Sequence, residues 1–144
     1  MANPNDISTF LASVPLFSGL NKRNLNQLAK RFIPRSYKAG DAIVTQGKGG
    51  AGMFTIVSGN AEAVIESTDG SKTVVNTFGP GQFFGEVAML DDGPRTASVI
   101  ATVETECLVL TRADFISVMH NDAEMATEIA VALAKRLRRT VGVM

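Results

Sequence analysis

The chain has 144 residues, long enough for one domain with a real hydrophobic core. Its hydrophobic fraction of 45% and charged fraction of 19% are those of an ordinary globular protein. Lys plus Arg and Asp plus Glu both number 14, so the formal net charge is zero, which argues against a partner gripped through a nucleic-acid backbone.

The single cysteine, Cys107, excludes an intrachain disulfide and a four-thiolate zinc or iron–sulfur centre. Placed in the alternating stretch Glu106-Cys107-Leu108-Val109-Leu110, it reads as a small apolar strand residue in a reducing compartment. No Lys or Arg precedes Lys22, and no long apolar run is present. Neither a signal peptide nor a membrane helix is therefore expected, and a soluble cytoplasmic protein is the default.

In chain order, residues 6–13 suggest a short helix with Asp6 near its start. Val14 to Leu20 reads as an apolar turn. Over 22–32 the spacing of Leu25, Leu28, Ala29 and Phe32 predicts a helix capped by Asn21 and ended by Pro34. From about 35 to 110 the texture changes to short runs rich in Val, Ile, Thr and Phe, broken by glycine. Ala42-Ile43-Val44, Met53 to Val57, Ala63-Val64-Ile65, Thr73-Val74-Val75, Ala97 to Ile100 and Cys107 to Leu110 are the predicted strands. Such spacing points to an all-β barrel or sandwich, with a hairpin at Thr68-Asp69-Gly70-Ser71.

The helical period returns at 111. Thr111-Arg112-Ala113-Asp114 has capping-box spacing, with Phe115, Val118 and Met119 on one face. A second helix begins within 121–124 and carries the stripe Ile129, Leu133 and Leu137. Its acidic residues come early and Lys135, Arg136, Arg138 and Arg139 come late, as the helix dipole favours. That basic cluster reads as a solvated helix end, or as a nucleic-acid or membrane patch. The apolar stripe either packs on its own barrel or pairs with a second copy.

The segment that carries chemistry is 83–98. A buried phosphate ester needs backbone N–H groups, a fixed cation and an acceptor for a sugar hydroxyl. Its nucleoside needs apolar walls. Gly85 permits close backbone approach, and Glu86 to Leu90 can form a short helix open at its start. Glu86 can accept from a hydroxyl. Gly93-Pro94 returns the chain to Arg95 and Thr96. Spacing alone leaves open an ordinary loop with a surface ion pair between Arg95 and the aspartates.

Phe84-Gly85-Glu86-Val87-Ala88 followed by Pro94-Arg95-Thr96-Ala97 resembles the phosphate-binding cassette of the cyclic-nucleotide-binding domain family. That family includes the bacterial catabolite activator, regulatory subunits of cyclic-nucleotide-dependent kinases and cyclic-nucleotide-gated channels. Lys38-Ala39-Gly40-Asp41, Gln46-Gly47, Met53 to Gly59 and Pro80-Gly81-Gln82-Phe83 are similar to its other segments, so the likeness covers nearly the whole chain. It implies a double-stranded β-helix (jelly-roll) barrel, mainly β, flanked by N-terminal helices and two C-terminal helices. The implied organisation is one domain over 1–144, divided at about 34 and 110. The implied function is regulatory capture of cAMP or cGMP without catalysis, the cassette closing on the ligand and the C-terminal helix repositioning. Glu86 would bind the ribose 2′-hydroxyl and Arg95 the exocyclic phosphate oxygens. Gly85, Val87 and Ala88 would offer N–H groups, Thr96 a hydroxyl, and Ala97 closes the motif. Ala63 and Val75 would line the base, and Thr140 would touch it from the last helix.

The chain departs from the family pattern at Ala51, where an acidic residue is frequent. The glycine-rich run Lys48 to Gly52 is expected to be mobile. No helix-turn-helix, kinase or channel segment follows the last helix. The expectation is a free-standing sensor, or an effector on another chain, with a homodimer through the last helix as a further possibility. Neither direct nucleic-acid binding nor a membrane is implied. No cofactor or metal is expected, because His120 and Cys107 are too few for a metal-dependent jelly-roll enzyme or a haem or redox sensor. A degenerate member serving only protein contacts is the alternative. The preference between cAMP and cGMP stays open, since the Thr96 hydroxyl suits either.

Overall fold

The computed structural model describes residues 4–49 and 52–142, with side chains from residue 7 onward. Gly50 and Ala51, and with them the middle of the expected mobile run and the acidic-position departure, lie outside the described residues, as does the side chain of Asp6.

Short β-branched runs separated by turns become eight strands among the described residues: β1 Ile33–Tyr37, β2 Ala42–Val44, β3 Gly52–Ser58, β4 Ala61–Glu66, β5 Lys72–Phe78, β6 Phe83–Phe84, β7 Ser98–Ala101 and β8 Thr105–Thr111. They form two four-stranded antiparallel sheets, ordered β1-β8-β3-β6 and β2-β7-β4-β5. Phe54, Ile56, Phe84, Cys107 and Val109 from one sheet join Ile43, Ala61, Ala63, Val99 and Ala101 from the other in a shared core. Burying each large side chain of this set contributes about 1.5–3 kcal/mol. The result is the jelly roll with flanking helices that the resemblance implies.

Five α-helices accompany the strands: α1 Pro4–Ala12, α2 Lys22–Ala29, α3 Glu86–Asp91, α4 Arg112–Asn121 and α5 Ala123–Val141. Asn21 caps α2 by accepting the Asn24 N–H at 2.9 Å, as expected. Asp122 caps α5 by accepting the Met125 N–H at 3.0 Å and also receives Asn24 Nδ2 at 3.3 Å.

Contacts divide the chain into two compact units. The helical unit combines the chain up to Arg31 with the chain from Ala113, and the β unit runs from Phe32 to Arg112. Both terminal segments belong to the helical unit. Within the helical unit α1 packs on α2, and α5 packs on the 3-10 turn Pro15–Phe17.

Two expectations change. The helix α2 stops at Ala29 rather than 32, and Pro34 sits inside a strand instead of ending a helix. That strand, β1, is the outer one of its sheet, where a residue without an N–H is tolerated. The hairpin at 68–71 is a five-residue loop between Glu66 and Lys72. The Gly70 N–H donates to the Ser67 carbonyl at 2.9 Å, and Gly70 supplies the left-handed residue at φ +87°.

Candidate functional site

The short strand β6 pairs Phe84 with Phe54 and stacks their rings at 5.2 Å between centroids. The chain then turns through Gly85 at φ +90° into α3. A Cβ at Gly85 would stand 2.5 Å from Arg95 Nη1 and 2.7 Å from the Gly52 carbonyl oxygen. Only glycine therefore allows the turn to lie against the Arg95 guanidinium. The helical ladder of α3 begins with the Met89 N–H on the Gly85 carbonyl at 3.0 Å, so the N–H groups of its first residues precede it. The fully buried Met89 anchors the helix. Asp92, at φ +57°, ends it and donates its N–H to the Ala88 carbonyl at 2.9 Å.

Backbone groups hold Arg95 in place. Its N–H donates to the Lys48 carbonyl at 2.8 Å, and its carbonyl accepts the Gly47 N–H at 2.8 Å. Gly49 bridges to Pro94. The described end of the glycine-rich run is thus the frame of Arg95 and not a free loop. The side chain is 7% exposed and donates Nη2 to the Gly52 carbonyl at 2.7 Å, while Nε is buried without a hydrogen-bond partner. Burial pushes the guanidinium below its ordinary value, and the Glu86 carboxylate acts against that shift.

Beside Arg95 lies a cavity of about 310 Å³, within the range of small-molecule sites. Val44, Ala63, Phe78, Phe84, Ala97 and Val99 form apolar walls, and Phe78 tilts against Phe84 at 5.0 Å. Glu86, Asp91, Arg95 and Thr96 supply polar groups, and Gly85, Val87, Ala88 and Pro94 complete the lining. Gly85, Glu86, Val87, Ala88, Arg95, Thr96, Ala97 and Ala63, residues to which the resemblance gives binding roles, thus line one cavity.

Val75 and Thr140 do not line it. Ala63 pairs with Asn76 and Val64 with Val74, which leaves Val75 as the extra residue of a β-bulge, 52% exposed. Thr140 lies on α5 in the helical unit, exposed, its hydroxyl donating to the Arg136 carbonyl at 2.9 Å. Val44, Phe78, Phe84, Asp91, Pro94 and Val99 line the cavity without having been expected to, although Phe84 and Pro94 stand in the motif. Val44 and Val99 belong to strands that alternation did locate. The Gly47 and Lys48 backbone groups leave no trace in side-chain patterns.

Among the described residues no group of three or more His, Cys, Asp or Glu is gathered for a metal ion. No helix among them is long and apolar enough to cross a membrane.

The fold and site define a class: an antiparallel jelly roll with a helical turn, begun by glycine, closed against a buried arginine beside an apolar cavity. The chain belongs to the cyclic nucleotide-binding domain family, whose model matches residues 34–122. It is 34% identical to the cyclic AMP receptor protein of Thermus thermophilus, over 86% of this chain and 57% of that protein. It is 37% identical to the cAMP-dependent protein kinase regulatory subunit of Mycosarcoma maydis, over 67% of this chain and 18% of that one. The N-terminal domain of a transcriptional regulator from Streptomyces coelicolor superposes with a TM-score of 0.85 at 29% identity, covering 94% of both chains. The chain therefore spans a little over half of the Thermus protein and a smaller share of the kinase subunit.

Proposed function

We propose that the cavity of the β unit binds a cyclic nucleotide, cAMP or cGMP, as a regulatory sensor and performs no chemistry on it. The observation that carries this reading is Arg95, a buried cation with an unpartnered Nε on the wall of an apolar cavity. A singly charged cyclic phosphate would restore its balance, since a buried charge is tolerated when it is paired and hydrogen-bonded. Glu86 would accept from the ribose 2′-hydroxyl. The backbone N–H groups of Gly85, Val87 and Ala88 and the Thr96 hydroxyl would complete the phosphate shell. Ala63, Phe78, Phe84 and Val99 would face the nucleoside. Closure of α3 on the ligand would be passed on to α5, and the output would lie with an effector on another chain or a second copy. A reducing, cytoplasmic setting suits the buried Cys107 thiol.

Ligand shifts such an equilibrium only by its differential affinity for the two states. Calorimetric titration of the full chain with cAMP and, separately, cGMP tests the proposal, with Arg95→Ala as the control. The expected result is binding that the variant weakens by roughly 1.5–3 kcal/mol, about tenfold to over a hundredfold. Normal binding by the variant, or no heat with either nucleotide, overturns the assignment. The second outcome would leave a protein-interaction module on the same fold.

A further inference from the structure

The cavity presents more negative than positive charge. Three ionisable side chains line it: the Arg95 guanidinium and the carboxylates of Glu86 and Asp91. Arg95 and Glu86 have roles in the reading above, and Asp91 has none. It closes α3 at the exposed edge of the cavity. Its Oδ1 accepts the Gly93 N–H at 2.8 Å. A Cβ at Gly93 would stand 3.0 Å from the same oxygen, so the carboxylate lies close over the Gly93 backbone. The turn thus fixes a negative charge at the edge of a cavity built around one cation.

We propose that Asp91 is a specificity-determining residue, whose charge admits a singly charged nucleotide phosphodiester and disfavours the doubly charged phosphate monoester of the same nucleoside. The inference rests on the cyclic-nucleotide reading. The two ligands share base and sugar, so the apolar walls cannot separate them. Their difference is charge, because a phosphate monoester carries close to two negative charges near neutral pH and a diester carries one. One guanidinium answers the first charge. Among the described residues no second cation lines the cavity, and Asp91 adds a like charge to its lining. Like charges repel, the more so where solvent is partly displaced. Asp91 is exposed, so the effect is moderate and screened by salt.

The test is titration of the full chain at low ionic strength with three ligands. They are whichever of cAMP and cGMP binds more tightly, its 5′-monophosphate, and the methyl ester of that monophosphate, which is acyclic but singly charged. Asp91→Asn keeps the acceptor for the Gly93 N–H and removes the charge. It should strengthen 5′-monophosphate binding about threefold to tenfold and the two singly charged ligands by about the square root of that, roughly twofold to threefold, and lose the gain at high salt. Asp91→Ser, which also keeps an acceptor oxygen, should behave alike. An unchanged monophosphate affinity in both variants overturns the inference. So does an equal gain for monophosphate and methyl ester, because charge would then not be the cause. If the unmodified chain binds neither cyclic nucleotide, the functional reading itself falls, which is a different result from the other two.

Discussion

Arg95 and Cys107 are both buried, yet burial acts on them in opposite ways. The Arg95 guanidinium keeps its charge beside the Gly52 carbonyl with Nε unanswered, a costly arrangement in a ligand-free protein. Replacing it by Met should weaken nucleotide binding about as much as Arg95→Ala while leaving the ligand-free stability equal or up to about 2 kcal/mol higher, read from urea unfolding. A clear loss of stability would mean that the guanidinium is held for the fold and not for a ligand. Cys107 is neutral when protonated, and burial pushes its thiol from 9.0 up to about 11. The folded chain then holds a proton that the unfolded chain releases near 9.0. The associated stability is fully present below 9.0 and is lost as pH rises through about 11. Unfolding curves across that window should fall more steeply for the unmodified chain than for Cys107→Ala. Alkylation of the native thiol near neutral pH should be slow and become fast on unfolding. Parallel curves for the two proteins would contradict the assignment.

Among the elements, α3 and α5 illustrate two ways of placing a helix. Gly85 starts α3 in a conformation that a side chain would obstruct, and Met89 buries its middle. The element therefore exists because of its surroundings, not its propensity. The helix α5 carries its own start signal in Asp122. That carboxylate also receives Asn24 Nδ2 at the end of an otherwise separate stretch of chain. Asp122→Ala should cost about 1–2 kcal/mol, and Asp122→Asn should retain most of the cap. Equal stability of all three proteins in urea would show that the cap contributes nothing. From Ala134 to Gly142 every residue of α5 is exposed, and Leu137 is 57% exposed. Of the stripe the sequence offered, either for the chain's own barrel or for a second copy, Ile129 is buried, Leu133 is half-buried and Leu137 is exposed.

For the molecule as a whole, net neutrality conceals the fact that the candidate site lies in one unit. The cavity is lined entirely by residues between Val44 and Val99, all of the β unit. Ligand that binds the native state alone stabilises it by mass action. At one hundred times Kd a cyclic nucleotide should add about 2.7 kcal/mol and raise Tm in step with its concentration. At the same ligand concentration Arg95→Met should show a clearly smaller rise, in proportion to its weaker binding. Concentration-independent melting of the unmodified chain, under conditions where titration detects binding, would show that the unfolded chain binds equally.

The sequence by itself determined the alternation of short strands, the caps at Asn21 and within 121–124, and the run from Gly85 to Arg95. Each depends on residues close in the chain, whose spacing is a local quantity. The reading of Pro34 failed because an edge strand removes the need for its N–H, and edges exist only once strands have paired. Val75 failed because a one-residue bulge in β5 displaces it from the pattern shared by Ala63 and Val99. Only the tertiary structure decided that Arg95 is gripped by the backbone of Gly47, Lys48 and Gly52. It likewise decided that Asp91 stands beside the same cavity as Arg95. Backbone groups are the same in every residue, so which carbonyl meets which side chain is written in no single position and follows from how the sheets close.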